Sequence, residues 1–398
     1  MKIRDIKLLN FRNYDELFLE FSDNINIIIG NNGEGKTNIL ESVYVLSLTK
    51  SNRYGIDNDL IQFGKRFFKL EGNIVYDDLV KKLAVSLNNA KKSVSINGKE
   101  IYKISDYVAN FCVVSFSSLD LEIIKGAPSI RRNFLNISLS QMYANYITNL
   151  NEYNAILKLR NDYLKKLNIN GMLDRRYLDV INTKLVEKAC KVTSRRIAYL
   201  NDINALIEGI FYKLTGIHSL MISFENSVLN GDYEEDKYKE SFYSRLQKNY
   251  NQELLLGNTL QGPHRDDYKF ILNGNDMKLF ASQGQQRLAV IAFKLAEVYV
   301  FKKYKNDYPV LLLDDIFSEI DTKKRNKIIK YLNNDIQTII TTTDILNVDE
   351  TLLKNARILT LKNKKITIKG GKKNGRRKSN WEIWFFINSS IGRFGSSS

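Results

Sequence analysis

Apolar and polar positions alternate with a period of two over much of the first 115 residues, a pattern typical of half-buried β-strands. It predicts strands within the first 21 residues and further strands at 24–29, 69–76, 82–87 and 93–96. One helix is predicted at 37–48, and Asn97-Gly98 marks a hairpin turn. This part of the chain is therefore expected to combine several strands with a single helix.

Between residues 128 and 215 the spacing of apolar residues changes to three and four, which predicts helices. One apolar stripe runs over 146–164 and a second over 178–210, and Gly171 lies between them. Arg196 is the one polar residue within the second stripe. The pattern is typical of a helical hairpin or short coiled-coil arm, and an ordinary helical domain core fits it equally well.

Strands resume after a polar stretch at 225–253. The pattern predicts strands at 268–272, 310–313, 337–341 and 357–361, and helices at 285–304 and after Asp321. Strands and helices thus alternate on both sides of the helical region. We therefore predict an α/β domain that is split in sequence by a helical insertion.

Composition restricts the class of protein. The chain has 398 residues, 43% of them hydrophobic and 26% charged, which excludes intrinsic disorder for the bulk of the chain. No apolar run approaches the ~20 residues that span a bilayer, and the first residues lack a secretory signal. Two cysteines, Cys112 and Cys190, are too few for a disulfide framework or a zinc site. We expect a cytoplasmic protein with reduced cysteines and no membrane partner.

The net charge of +16 suggests nucleic-acid binding, but its distribution weakens that argument. Residues 362–398 hold ten Lys or Arg residues and one acidic residue, Glu382, so the remainder is only mildly basic. This last segment also holds both tryptophans, and its composition changes abruptly from that of the preceding domain. It is expected to be a disordered basic tail, either an extension foreign to the domain or an interaction segment.

Residues 30–37 (GNNGEGKT) match the phosphate-loop pattern GxxxxGK[ST] and lie between a predicted strand and a predicted helix, the context that the pattern requires. Glycines let the backbone approach phosphates, and the loop amides face the anion. Lys36 is expected to reach the outer phosphates as a catalytic residue, and Thr37 to bind Mg²⁺. The residues expected to hold ATP here are Gly30, Asn31, Asn32, Gly33, Glu34, Gly35, Lys36 and Thr37.

Two further elements complete a nucleotide site. The apolar run 310–313 ends in Asp314 and Asp315. Asp314 is expected to hold Mg²⁺, and Asp315 to orient or deprotonate the attacking water. Ser282, Gly284 and Gln285 begin an apolar helix, where a hydroxyl, a small residue and free amides form a second anion site for ATP.

The order of phosphate loop, helical insertion, Ser-x-Gly-Gln element and paired aspartates resembles the ABC-type ATPases of the SMC/Rad50/RecF group. More specific segments resemble the RecF family of bacterial DNA replication and repair proteins. These segments are 10–14 (NFRNY), Phe116 with Asp120-Leu121, 125–128 (KGAP), Arg131-Arg132 with Phe134-Leu135, Arg160-Asn161, 262–267 (GPHRDD) and 318–321 (SEID). The resemblance runs in order over about residues 1–361.

The resemblance implies an α/β fold in which an ABC-type P-loop ATPase head is split by a helical, short coiled-coil-like arm. The implied divisions are the N-terminal part of the head with the phosphate loop, the arm, the C-terminal part of the head with the Ser-x-Gly-Gln element and aspartates, and the tail. They cover residues 1–120, 121–255, 256–361 and 362–398 respectively.

The resemblance also implies a homodimer that forms on ATP binding, in which Ser282 and Gly284 of one copy close over ATP held by Lys36 and Thr37 of the other. It implies binding to single-stranded and gapped duplex DNA, with RecR and RecO assisting RecA loading in gap repair, replication-fork recovery and SOS induction. A threonine run at 341–343 stands where transporter ATPases place a histidine, so we expect a weak, DNA-dependent ATPase that acts as a switch. Arg131 and Arg132 are candidate DNA-phosphate contacts, and ion pairing with nearby acids is the alternative role.

Three other interpretations remain. A transporter ATPase subunit fits the RecF-like segments poorly, and an SMC/Rad50-like DNA-organising ATPase needs a far longer insertion. A non-enzymatic DNA-binding module with a vestigial nucleotide site is disfavoured by the complete set of site residues. Three positions depart clearly from the family pattern: Ser118 and Leu119 replace its usual Pro-Glu, and Asn136 its usual Asp, while Ile320 replaces a leucine conservatively. DNA junction polarity and the RecR-docking surface do not follow from the sequence.

Overall fold

The computed structural model describes residues 1–53, 55–170, 175–229, 231, 233–316, 320–332, 335–343 and 356–369. The strands of these residues are β1 Lys2–Phe11, β2 Tyr14–Glu20, β3 Ile25–Ile29, β4 Phe67–Tyr76, β5 Leu79–Asn88, β6 Lys91–Ile96, β7 Lys99–Ile101, β8 Val113–Phe116, β9 Leu220–Glu225, β10 Asp267–Leu272, β11 Asn275–Asp276, β12 Val310–Asp314, β13 Thr338–Thr342, β14 Arg357–Lys362 and β15 Lys365–Lys369. The helices are α1 Lys36–Leu48, α2 Ile104–Val108, α3 Glu122–Lys125, α4 Pro128–Met142, α5 Tyr146–Asn170, α6 Arg175–Thr215, α7 Glu235–Lys248, α8 Tyr250–Leu256, α9 Met277–Phe280, α10 Gln283–Lys305 and α11 Thr322–Ile329.

The strands form three sheets. Six antiparallel strands are ordered β2-β1-β4-β5-β6-β7, and three are ordered β11-β10-β9. The third sheet is ordered β15-β14-β3-β13-β12-β8 and is parallel except for its edge strand β15. Since parallel strands need crossovers, the neighbours β3, β13 and β12 come from distant parts of the chain. The two ends of the sequence therefore build one sheet.

The parallel sheet is buried on both faces, as its nearly continuous apolar strands predict. Ile28, Val310 and Leu312 pack with α1 and the antiparallel sheet in one core. Ile27, Leu311 and Leu313, which alternate with them, pack with α10 and the helical insertion in a second core. The sheet is thus a central layer between two hydrophobic cores.

The helical insertion is built on α5 and α6, which pack against each other. Arg196, the polar break in the second stripe, is buried and donates hydrogen bonds to the Pro263 carbonyl (2.6 Å) and to Asn136 Oδ1 (3.1 Å). It therefore fixes α6 to the base of the head. Gly171 lies outside the described residues, and none of the described helices is long and apolar enough to span a membrane.

The expected boundary at 361 is wrong. Strand β15 pairs antiparallel with β14, from Lys362↔Lys365 to Ile358↔Lys369, so the first residues assigned to the tail belong to the head. Alternating Ile366 and Ile368 give this short hairpin an apolar face that packs on the core. Residues 370–398 lie outside the described residues, and the boundaries at 120 and 255 stay predictions.

Candidate nucleotide-binding site

The phosphate loop connects β3 to α1 at the C-terminal edge of the parallel sheet. Gly33 and Gly35 have φ angles of 83° and 107°, in the left-handed region that favours glycine. A Cβ at Gly35 would lie 2.6 Å from Asn13 Nδ2, and one at Gly30 would lie 2.8 Å from the Leu361 carbonyl oxygen. Backbone conformation and close packing therefore require glycine at these positions, and the loop is left open for an anion.

Lys36 begins α1 and turns its side chain back into the loop. Its Nζ donates to the carbonyl oxygens of Gly30 (2.7 Å) and Asn31 (2.9 Å). Burial lowers the pKa of Lys36 from its ordinary value, and the carboxylates of Asp315 and Asp314 oppose this effect. A bound polyphosphate would also favour the charged ammonium, so the donor set fits a triphosphate.

Asp314 ends β12 and accepts hydrogen bonds from Thr37 Oγ1 (3.0 Å) and Thr341 Oγ1 (2.7 Å). Parallel pairing of Asp314 with Thr341 places these side chains at the same edge of the sheet. Hydroxyl and carboxylate oxygens are ligands that Mg²⁺ prefers. The Thr37–Asp314 pair is therefore a suitable place for a magnesium ion that also contacts phosphates.

Asp315 adopts a φ of 50°, which is uncommon for a residue with a side chain. Its amide donates to Thr341 Oγ1 (3.1 Å), which helps hold this turn. Asp315 and Thr37 line a common cavity of about 250 Å³, with Arg287 and Ser117 at its wall. The structure therefore brings the predicted catalytic carboxylate to the phosphate loop.

The segment 10–14, noted in the sequence only as a family feature, supports the phosphate loop directly. Arg12 forms a bidentate ion pair with buried Glu41 of α1, with N–O distances of 2.9 and 2.6 Å. Tyr14 donates its hydroxyl to the Gly35 carbonyl (3.2 Å), and burial raises its pKa so that the donor stays protonated. Sequence reasoning did not predict these contacts of Tyr14 and Thr341, because their partners are distant in sequence.

The Ser-x-Gly-Gln element begins α10 as predicted, with Ser282 as its N-cap. Ser282 Oγ accepts from the Gln285 amide (3.3 Å), and Gln285 Oε1 accepts from the Ser282 amide (2.9 Å). Ser282 and Gly284 are exposed, and neither lines the cavity at Thr37 and Asp315. Ser282 and Gly284 therefore lie outside this cavity, although Arg287 and Ile291 of the same helix line it.

Of the two roles predicted for Arg131, the structure shows ion pairing, and its DNA-phosphate contact stays a prediction. Its side chain is buried and forms a bidentate ion pair with Asp267, at 2.7 and 2.6 Å, and it also donates to the Gly126 carbonyl (2.7 Å). These three hydrogen bonds hold Arg131 against residues at the base of the insertion. Arg132 is half-buried and donates to the Asp266 carbonyl (2.9 Å), so its role as a phosphate contact stays a prediction.

Replacing Arg131 with alanine is expected to lower the free energy of unfolding by about 3–5 kcal/mol, because Asp267 would keep a buried charge without its partner. Urea titration followed by circular dichroism measures this change. Arg132→Ala is the matched control and is expected to cost about 1 kcal/mol, since it loses one hydrogen bond to a carbonyl. Equal losses in both variants would contradict this assignment.

The histidine of segment 262–267 forms hydrogen bonds within the fold. His264 Nε2 donates to the Thr259 carbonyl (3.0 Å), so its Nδ1 accepts from the Tyr153 hydroxyl (2.6 Å). Burial lowers the pKa of His264 to about 4, which keeps it neutral near pH 7. Asn136, one of the three departures, also has a partner: its Oδ1 accepts from Tyr146 (2.7 Å) as well as from Arg196. Ser318, Glu319 and Asp344 lie outside the described residues.

Comparison with known proteins gives several matches. The model of the RecF/RecN/SMC N terminal domain matches residues 2–367. The chain is 36% identical over 360 residues to the DNA replication and repair protein RecF of Staphylococcus carnosus, covering 90% of this chain and 97% of that protein. It is 39% identical over 358 residues to the protein of the same name from Listeria welshimeri, covering 89% and 96%.

Solved structures give the same result. Structures of the recombination mediator protein RecF with ATPrS and with ATP, in the RecFOR pathway, are both 31% identical and have TM-scores of 0.84 and 0.85. Each covers 92% of this chain, and the chain covers 98% and 97% of theirs. An Smc head bound to the C-winged helix domain of ScpA has a TM-score of 0.52 at 16% identity, which shows the fold alone. The α/β ATPase-head fold with a helical insertion is thereby confirmed.

Proposed function

The chain belongs to the RecF family of DNA replication and repair proteins, and from that premise we propose that it is an ATP-dependent DNA-binding protein of recombinational gap repair. The observation that carries the proposal is the cluster at the edge of the parallel sheet. There, Lys36 lies inside the phosphate loop and Thr37 contacts Asp314. Residues from both ends of the sequence meet at this point. Lys36 provides a cation for phosphates, and Thr37 and Asp314 provide oxygen ligands for a metal ion.

ATP is the proposed ligand, with Mg²⁺ bound beside it. Lys36 and the amides of residues 30–35 would hold the phosphates, and Thr37 with Asp314 would hold the metal ion. The bound metal would supply charge compensation for the triphosphate. The similar solved structures named for RecF with ATP and ATPrS support this ligand.

ATP binding is proposed to join two copies of the chain. Ser282 and Gly284 are exposed on a well-formed helix N-terminus, yet they do not line the cavity of their own chain. Leu279 and Phe280, immediately before them, are 72% and 73% exposed. An anion site beside exposed apolar side chains is suited to covering a phosphate held by a second, symmetrically placed copy.

Hydrolysis is proposed to be slow and to act as a switch. Asp315 would orient the attacking water, while the Thr341 hydroxyl donates to Asp314 and accepts from the Asp315 amide. No histidine follows β13 among the described residues, in contrast to transporter ATPases. A turnover number above about 10 s⁻¹, a typical enzyme median, would contradict the switch.

The proposed DNA partner is single-stranded or gapped duplex DNA, bound mainly through its phosphates. A dimer doubles the number of cationic contacts, and affinity rises steeply with that number. RecR, RecO and RecA are the proposed partners of the same pathway, with roles in replication-fork recovery and SOS induction. The RecFOR pathway named for the similar structures supports this assignment.

An SMC-like DNA organiser is the second candidate, and the length of the insertion disfavours it. Its longest helix, α6, has 41 residues and spans about 60 Å. Much of α6 packs on α5, α7 and α10 of the same chain. Such a helix supports the head and does not extend far from it.

The proposed function is tested by measuring molar mass in solution with Mg-ATP or Mg-ADP, each with and without gapped DNA. We expect a dimer with ATP and a monomer with ADP, and tighter DNA binding only in the first case. A chain that stays monomeric under saturating ATP, magnesium and gapped DNA would reject the proposal.

A further inference from the structure

We propose that one end of the antiparallel sheet binds a single strand of nucleic acid, with Phe63 stacking on a base and nearby cations contacting phosphates. This surface, called here the sheet-end surface, consists of Lys50, Phe63, Lys65, Arg66 and Lys91. The inference rests on the proposed DNA binding and assigns one specific contact region to it.

Phe63 is held at the tip of a tight turn. The Lys65 amide donates to the Gln62 carbonyl (3.0 Å), and Gly64 has a φ of 81°. The Phe63 side chain is fully exposed, although a buried phenylalanine would contribute about 1.5–3 kcal/mol to stability. The turn holds the aromatic ring in place before a base binds, so stacking on it requires little further loss of conformational entropy.

The cations of the sheet-end surface lie beside this turn. Phe67 pairs with Asn88, and Asn88 pairs with Lys91, so Arg66 and Lys91 lie at the same end of the sheet, on either side of β5. Lys92 Nζ donates to the Thr49 carbonyl (2.6 Å), which places Lys50 at this end too.

These cations are available for phosphates. Lys50, Lys65, Arg66 and Lys91 are exposed, and none forms an ion pair with a carboxylate of the described residues. Of the nearby acids, Asp57 is paired with Lys92 (2.6 Å), and the Asp59 side chain accepts from the Ile56 amide (3.0 Å). The local charge is therefore positive, which suits a polyanion.

The turn is also connected to the nucleotide site. The Gln62 amide donates to the Asn10 carbonyl (2.9 Å), and the Arg12 amide donates to the Leu60 carbonyl (2.9 Å). Arg12 in turn contacts Glu41 of α1, the helix that follows the phosphate loop. A strand bound at the sheet-end surface would thus be held by the same rigid unit that holds the nucleotide.

Nucleic acid fits this surface better than a lipid membrane does. The residues next to Phe63 are Gln62 and Gly64, and the next aromatic residue, Phe67, is only 38% exposed, so Phe63 is the one fully exposed ring of this turn. One ring is sufficient to stack on one base, whereas interfacial membrane binding uses a wide apolar face.

The test measures binding of a fluorescent poly(dT) oligonucleotide by anisotropy, with the full-length chain, Mg-ATP and several salt concentrations. Phe63→Ala is expected to weaken binding about tenfold through lost stacking. Lys65→Ala combined with Arg66→Ala is expected to reduce the slope of log affinity against log salt by about 0.7 for each lost contact. Phe63→Trp is expected to bind poly(dT) like the parent and to lose fluorescence on binding.

Matched controls lie elsewhere on the same sheet. Leu79→Ala removes an exposed apolar side chain at the hairpin where Leu79 pairs with Tyr76, and Lys99→Ala removes a cation where Lys99 pairs with Ile96. Both controls are expected to bind poly(dT) like the parent. If the parent binds DNA and the sheet-end variants bind poly(dT) as tightly as these controls, this inference is overturned while the proposed function stands. Failure of the parent to bind any DNA would instead reject the proposed function.

Vesicles of phosphatidylglycerol distinguish the lipid alternative. Sedimentation with vesicles is expected to be equal for the parent and Phe63→Ala. Loss of vesicle binding in Phe63→Ala with unchanged poly(dT) affinity would assign the surface to a membrane and overturn the inference.

Discussion

Replacing Lys36 with alanine is expected to abolish ATP-stimulated DNA binding while the chain stays folded. The lysine provides charge-assisted hydrogen bonds to the phosphates, each worth about 1.5–3 kcal/mol, so ATP affinity should fall by about 10- to 150-fold or more. Its contacts in the structure are with the carbonyl oxygens of Gly30 and Asn31, and it belongs to neither hydrophobic core.

Binding of a fluorescent ATP analogue measures the first effect, and anisotropy of gapped DNA with and without ATP measures the second. Lys99→Ala, which removes an exposed lysine on β7, is the control and is expected to behave like the parent. An unchanged ATP effect on DNA binding in Lys36→Ala would remove the phosphate loop from the proposed mechanism.

Asp315→Asn is expected to bind ATP normally, to hydrolyse it 10²- to 10⁴-fold more slowly, and so to accumulate as a dimer. A general base usually accelerates a reaction by about 10²- to 10⁴-fold. Asparagine preserves the size of the side chain and the turn at φ 50°, which it tolerates as well as aspartate does. The loss would therefore be one of chemistry with the fold retained.

Phosphate release in a single turnover measures hydrolysis, and size-exclusion chromatography after ATP addition measures the dimer. Asp15→Asn, at an exposed position of β2, is the control and should match the parent in both measurements. Hydrolysis by Asp315→Asn at the parental rate would assign the water-orienting role to another residue.

Most of the elements were predictable because their signals are local. The period of two in β4, β5 and β6 and the glycine-rich loop before α1 each depend on residues close in sequence. The same is true of α10, since Ser282 and Gln285 cap it three residues apart. The short strand β15 escaped prediction because its basic composition resembles that of the tail, while its pairing with β14 is what makes it a strand.

The roles of the charged residues were not predictable from local signals, because their partners are distant in sequence. Arg131 and Arg132 are adjacent and equally basic in the sequence, yet one is buried against Asp267 and the other reaches a backbone carbonyl. The distance of 136 positions between Arg131 and Asp267 carries no local pattern, so the sequence left ion pairing and DNA contact open. Packing of α4 against β10 brings Arg131 and Asp267 together.

The sequence by itself determined the phosphate loop, the paired aspartates, the capped α10 and the family, because each is written in neighbouring residues or in an ordered set of motifs. Only the tertiary structure decided that Thr37, Asp314 and Thr341 share one point, that Arg12 and Tyr14 hold the loop, and that Ser282 is exposed outside its own cavity. The physical reason is the parallel sheet: its crossovers join strands from both ends of the chain, and the contacts at its edge depend on strand order, which no local period encodes.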